Sequence, residues 1–403
     1  MSDSISGGAA LIPFTATSGD ERHEIYAELA AKGPIHTITM PDGQSAWLVT
    51  GYAEAKALLS DPCLVKYGWQ AISFATKLSD DVARGIFTHM LNSDPPDHTR
   101  LRKLVTSVFT RRRVEKLAPR IQQMTDELIA AVEGEDTVDL VSTLAYPLPL
   151  GVICELIGIP EEDRRDFRTW TARAMSPDMY SFEEFQEAAT SLLIYSRDLI
   201  ERRRRDPQDD LLSGLITARD DGERLTEDEL ISMIYLLLIA GHETTVGLIG
   251  NSVRGLLTHP DQFTLLRRHP ELLESAIEEF LRHDSAVQAT TPYWTTEPVD
   301  VGGVRIPAGS MLLIALMAAN RDLERFPRGA TLDITRDTPA HIAFGHGIHH
   351  CVGAPLARIE ARIVLRTLLD RFPDLRLAEP AESLTRTPSV IANGLTALRV
   401  HLR

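Results

Sequence analysis

The stretch "FGHGIHHCVG", Phe344 to Gly353, sets three histidines and one of the chain's three cysteines within ten residues punctuated by glycine. It has the look of a metal site, and the metal decides the fold. A structural zinc would want paired ligands with a second pair elsewhere, yet Cys63 and Cys154 have no neighbouring Cys or His to supply one. A zinc-protease reading of "HETTV", from His242, fails as well, because Val246 stands where the second histidine of H-E-x-x-H must be. A lone cysteine ahead of a helix fits a haem better. Thiolate is favoured at a helix N-terminus, where free N–H groups and the dipole stabilise negative charge. Pro355 marks that N-terminus. Gly345, Gly347 and Gly353 would let the backbone pass close beneath a flat macrocycle, and Phe344 would give it an apolar face.

Moving outward, Thr226 and Glu229 have the spacing of a capping box, and helix-compatible sequence runs on without proline to about Thr258. At ~1.5 Å per residue such a helix is roughly 48 Å long, enough to cross a domain. In its middle lies "AGHETT", Ala240 to Thr245, an acid and two β-branched alcohols inside a greasy segment. Helix interiors avoid that combination, and buried polar groups need a partner or a purpose.

Helical patterns dominate elsewhere, over Val114–Val132, Phe182–Arg204, Leu272–His283 and Ala354–Phe372. "IHTITM" and "QSAWLVT", joined by Pro41-Asp42-Gly43, predict a hairpin, and short strands are predicted within 299–306, 311–316 and 396–402. The 403 residues, 43% hydrophobic, support a large core. No linker or repeat divides them, so a single domain is expected over 1–403. The formal charge of −15 argues against nucleic-acid binding. Three scattered cysteines and an N-terminal stretch without basic start or apolar run predict a cytoplasmic protein with no membrane segment.

Together these motifs resemble the cytochrome P-450 family, of the soluble actinobacterial macrolide and steroid-hydroxylase type. Phe344 to Gly353, followed by "APLAR", is similar to its cysteine-ligand signature, and "AGHETT" to its oxygen-activation motif. Glu279 and Arg282 match E-x-x-R, with Arg321 as the third member of a structural triad, and "DPPDHTRLRKLV" from Asp94 resembles the helix that contacts the haem. The resemblance implies a mainly α fold with small β-sheets, a triangular helical prism with haem b between the long central helix and the helix after the cysteine. A β-rich lobe would come from about 20–60, 290–320 and 375–403.

By the same resemblance Cys351 is the axial iron ligand, and Thr244 and Glu243 deliver protons to dioxygen. His98, Arg102, Ala240, Gly241, Tyr293, Phe344, Gly345, His349 and Gly353 would hold the haem. Trp69, Phe87, Met90, Leu91, Ile239, Val287, Ala289, Ile391 and Ala392 would line the substrate pocket. One departure stands out: many relatives carry a propionate arginine near "TTPYWTTE", whereas no Arg or Lys occurs between Arg282 and Arg305.

The implied reaction inserts one atom of O2 into a bulky lipophilic secondary metabolite, a polyketide macrolide or macrolactone first, a steroid-like or terpenoid compound next. Electrons would come from NAD(P)H through ferredoxin reductase and ferredoxin to a monomeric enzyme. Arg111, Arg112 and Arg113, with Arg358 and Arg362, would form the docking face. The alternatives are a haem-thiolate sensor or carrier without turnover and a peroxide-driven enzyme, against both of which the Glu243-Thr244 pair speaks.

Overall fold

The computed structural model describes residues 13–41, 43–66, 77–175, 181–219, 222–337 and 340–403. Its axis is a helix of 32 residues, Glu227–Thr258. The Thr226 hydroxyl accepts from the Glu229 N–H (3.3 Å), and the Glu229 carboxylate accepts from the Thr226 N–H (2.8 Å), closing the predicted capping box. Glu227, Asp228 and Glu229 in the first turn also suit the positive end of the dipole. Arg100, from the helix Asp97–Val108, pairs with Glu229 and ties that helix to the start of the axis. By length and composition the axial helix could cross a membrane, but most of it is buried inside the fold.

Around it pack the helices Asp80–Phe87, Pro147–Ile157, Phe182–Arg205, Leu273–His283 and Ala354–Arg371. The stretch expected as one helix from Val114 is two, Arg111–Lys116 and Ala118–Ala130. Pro119 explains the break, since it lacks the N–H that would continue the first helix into the second.

The predicted hairpin joins Ile35–Thr39 to Ser45–Val49, with Ile35 opposite Val49 and Thr39 opposite Ser45. Strand Met311–Ile314 lies parallel to its second arm, Tyr293–Thr295 follows antiparallel, and Leu64–Val65 closes a five-stranded sheet. Leu48, Val49, Leu312, Leu313 and Ile314 are fully buried there. A two-stranded hairpin, Val299–Val301 with Val304–Ile306, stands apart. The C-terminal segment is divided: Thr385 and Ala392 bridge to Ser18 and Val287, near the segments expected in the β-rich lobe, and its end lies elsewhere. Strand Arg399–His401 pairs with Thr137–Asp139 and Arg376–Leu377 in a separate three-stranded sheet beside the helices.

Candidate active site

The loop that carries Cys351 is shaped by its glycines and clamped by ion pairs. Gly345 (φ +73°) and Gly347 (φ +69°) occupy the left-handed region, and a Cβ on Gly347 would lie 2.2 Å from the Leu59 carbonyl oxygen. The Cys351 N–H donates to the Phe344 carbonyl (2.9 Å), closing the loop. Arg358, one turn into the following helix, lies over the Phe344 ring (4.5 Å) and makes a bidentate pair with Glu278 (2.6 and 2.8 Å), which His341 also contacts (3.0 Å). Burial alone would push Glu278 up, but Arg358 and His341 outweigh it and hold the carboxyl at about 2. Arg362 pairs with Glu274. Of the five arginines of the expected docking face, Arg358, Arg362, Arg111 and Arg113 make ion pairs, the last two with Glu115 and Asp209, and Arg112 is exposed and makes none among the described residues.

Above Cys351 opens a cleft lined mainly by apolar side chains of the axial helix, the Cys351 loop and the segment of residues 286–293. All nine residues expected to hold the haem line it, as do Cys351 and Thr244. Ala240 is exposed in the middle of an otherwise buried helix because it faces this space. The Thr244 hydroxyl donates to the Ala240 carbonyl (2.9 Å), so the helix passes the cleft with its alcohol parked on its own backbone. Glu243 is half-buried and does not line the cleft; with no ion pair among the described residues, burial lifts its carboxyl to about 7.

Cys351 is open to the cleft yet densely surrounded by protein. Burial raises its thiol, against the N–H groups of Gly353 and Ala354 and the charges of Arg102 and Arg358, all of which favour the thiolate. At the side of the cleft His98 is buried, both its ring nitrogens without a partner among the described residues, its ring edge-on to His349 (4.6 Å). Arg102 donates to the His350 carbonyl (2.7 Å) and has no carboxylate partner among the described residues. Burial, with Lys66, His98 and Arg102 nearby, holds His349 neutral at about 3. Among the described residues no Asp or Glu lines the cleft. The donor set fits a haem: one sulfur on the floor, an apolar slot, and a corner of cationic and N–H groups that want the macrocycle's carboxylates.

Met90, Leu91, Val287, Ala289 and Ile391 of the expected substrate wall line the cleft. Phe87 and Ile239 instead pack against the core, and Ala392 is off the wall, its N–H bonded to the Ser389 hydroxyl. Trp69 lies outside the described residues. Sequence reasoning missed Phe109, Ile153 and Leu236 and the stripe-mates Leu237 and Leu248. Residues 237, 241, 244 and 248 fall at steps of four, three and four along the axial helix, the signal that would have found the last two.

The structural triad needs one correction. Glu279, fully buried, takes two bonds from Arg282 (both 2.8 Å), and its further cation is Arg336 (3.2 Å). Arg321 instead donates to the His283 carbonyl (2.7 Å) and meets the His283 ring. The loop of residues 327–336 folds back so that Arg336 also caps the Pro327, Arg328 and Thr331 carbonyls, which places it, rather than Arg321, at the carboxylate.

A family model described as cytochrome P-450 matches residues 265–386. The chain is 47% identical over 396 residues to the cytochrome P-450 107B1 of Saccharopolyspora erythraea, spanning 97% of both proteins. It is 45% identical over 388 residues to the 6-deoxyerythronolide B hydroxylase of the same organism, spanning 94% of this chain and 96% of that one. The tirandamycin C-bound structure of the monooxygenase TamI superposes with a TM-score of 0.86 at 45% identity, covering 94% of this chain and 97% of that one.

Proposed function

The chain belongs to the cytochrome P-450 family as a monooxygenase, and from that membership we propose that it inserts one atom of O2 into a polyketide macrolide or macrolactone. Steroid-like and terpenoid compounds come second. The observation that carries the substrate class is the wall of the cleft, which Met90, Leu91, Leu237, Val287 and Ile391 make aliphatic. A relative named for a 6-deoxyerythronolide B substrate points the same way.

When bound, a thiolate-ligated haem supplies the oxygen activation, using electrons that reach it from NAD(P)H through ferredoxin reductase and ferredoxin. The residues of this chain hold and protonate. Cys351 would ligate the iron, the Gly353 and Ala354 N–H groups favouring its thiolate against the burial that raises the thiol. His98, Arg102 and His349 would take the carboxylates. Thr244, on the cleft side of the axial helix, can release its bond to the Ala240 carbonyl and offer its Oγ1 proton into the cleft. Burial lifts the carboxyl of Glu243, the preceding residue, to about 7, so at neutral pH it can both give and recover a proton. Aliphatic side chains exclude water from the remaining space.

The reading is tested by titrating the ferric protein with macrolactones, steroids and terpenoids while following the spin-state change that marks loss of the axial water. Hits are then turned over under isotopically labelled O2. A macrolactone that shifts the spectrum and gains one labelled oxygen supports the proposal. Turnover only with peroxide, or tight ligands that are never oxidised, would favour the peroxide-driven or sensor alternative.

A further inference from the structure

Lys66 is a buried amine whose Nζ makes no ion pair among the described residues; burial pushes its ammonium well below the ordinary lysine range, opposed by the nearby Asp94 charge, so a further anion beside it would favour the charged form. It is 3% exposed, and its Nζ donates to the Thr291 carbonyl (3.2 Å), the Thr291 hydroxyl (2.8 Å) and the Pro292 carbonyl (3.1 Å), all neutral acceptors. The carboxylate of Asp94 is spent on the Lys66 backbone N–H (2.9 and 3.1 Å), and no ion pair of Nζ occurs among the described residues. An ammonium taken out of water in this way is costly unless a counter-charge completes the site.

What lies beside it says where that counter-charge comes from. Nζ sits 3.3 Å from the centroid of the Tyr293 ring. Both Thr291 and Tyr293 face the cleft, and Tyr293 meets the His349 ring at 6.0 Å. This is the corner where, among the described residues, His98 has unpartnered nitrogens and Arg102 has no carboxylate. The strand pairing of Leu64–Val65 with Tyr293–Thr295 fixes the arrangement, since it delivers the residue after Val65 to the back of Tyr293.

We propose that Lys66, acting with Tyr293, is the counter-cation of one haem carboxylate, providing from a distant strand the charge absent between Arg282 and Arg305. The ammonium polarises the phenol through the ring face, making its O–H a stronger donor toward the carboxylate, and attracts that carboxylate directly across the ring. Lys66 is a positioning residue, and the inference rests on the haem-monooxygenase reading.

The test is the rate at which ferric protein gives up haem to excess apomyoglobin, for the parent, Lys66→Met and Lys66→Arg. Lys66→Met is expected to release haem on the order of tenfold faster, the factor that a charge-assisted contact represents, and Lys66→Arg to stay close to the parent. A redox titration should show a lower potential for Lys66→Met, because a cation near the haem favours the reduced form. Thermal melting of the cofactor-free proteins separates this from a packing role: Lys66→Met should melt close to the parent, since losing the costly buried amine offsets the three hydrogen bonds it made. Release at the parent rate, or acceleration matched by a lower cofactor-free melting point, would overturn the inference. If Lys66→Met does not accumulate, Lys66→Gln serves the same comparison. Normal haem loading with an unchanged Lys66→Met rate overturns this inference alone, whereas a parent chain that binds no haem overturns the functional reading with it.

Discussion

Replacing Arg336 with alanine separates the observed buried network from the one the sequence suggested. Glu279 is fully buried and holds four donors: Arg282 twice, the Asp333 N–H (3.0 Å) and Arg336 Nε. Removing one partner of a buried ion pair costs ~3–5 kcal/mol when the other charge is left alone. Here Arg282 stays on both carboxylate oxygens, so ~2–3 kcal/mol is the expected loss for Arg336→Ala. Arg321→Ala also strips a buried guanidinium from the His283 carbonyl, so its single-variant cost is of similar size and does not discriminate. The double-mutant cycle with Glu279→Gln does. Arg336 touches Glu279 and should couple to it by at least ~1 kcal/mol, while Arg321, which does not touch it, should couple by ~0.5 kcal/mol or less. The assay is urea unfolding of the ferric protein, followed by tryptophan fluorescence and by the haem band, with coincident transitions required before free energies are taken. Coupling of Arg321 to Glu279, with none for Arg336, would refute the assignment.

Thr244→Ala should bind substrate as the parent does but lower product formed per NAD(P)H consumed, with the balance appearing as peroxide; an unchanged ratio would mean that proton delivery bypasses this hydroxyl. Glu243 has a folded pKa of about 7 against 4.5 for the free side chain, so its contribution is fully present below about 4.5 and is lost as pH rises through 7. Glu243→Gln should therefore unfold with the parent near pH 4.5 and become more stable than it, by up to ~3 kcal/mol, above pH 7; a difference independent of pH would contradict the burial argument. Arg111→Glu with Arg112→Glu should slow haem reduction by an acidic ferredoxin at low salt and have less effect at high salt, without changing substrate binding. Equal stopped-flow rates across the salt series would place the partner elsewhere.

The parts of the fold legible in the sequence were those fixed by local chemistry. Thr226 and Glu229 announced a helix start, and the Ile35–Val49 hairpin followed from alternation around a Pro-Asp-Gly turn. The cysteine loop was legible because its glycines and Pro355 leave few backbone choices. The residues missed were those placed by tertiary contact. Arg336 reaches Glu279 only through a loop that folds back on itself, and Lys66 reaches Tyr293 only through strand pairing. Neither separation in sequence carries a periodic signal. Ile239 was misplaced for a simpler reason, because it lies off the stripe of the axial helix that carries Ala240 and Thr244.

The central claim is that the sulfur of Cys351 holds a haem on the floor of this cleft. It is tested most directly by the carbon monoxide difference spectrum of the reduced protein, recorded for the parent and for Cys351→Ser. The parent should show the strongly red-shifted Soret maximum of a thiolate ligand, and Cys351→Ser should lose it even where haem is retained by His98, Arg102 and His349. A purified Cys351→Ser protein that keeps the thiolate maximum, or a haem-loaded parent that never shows it, would contradict the account.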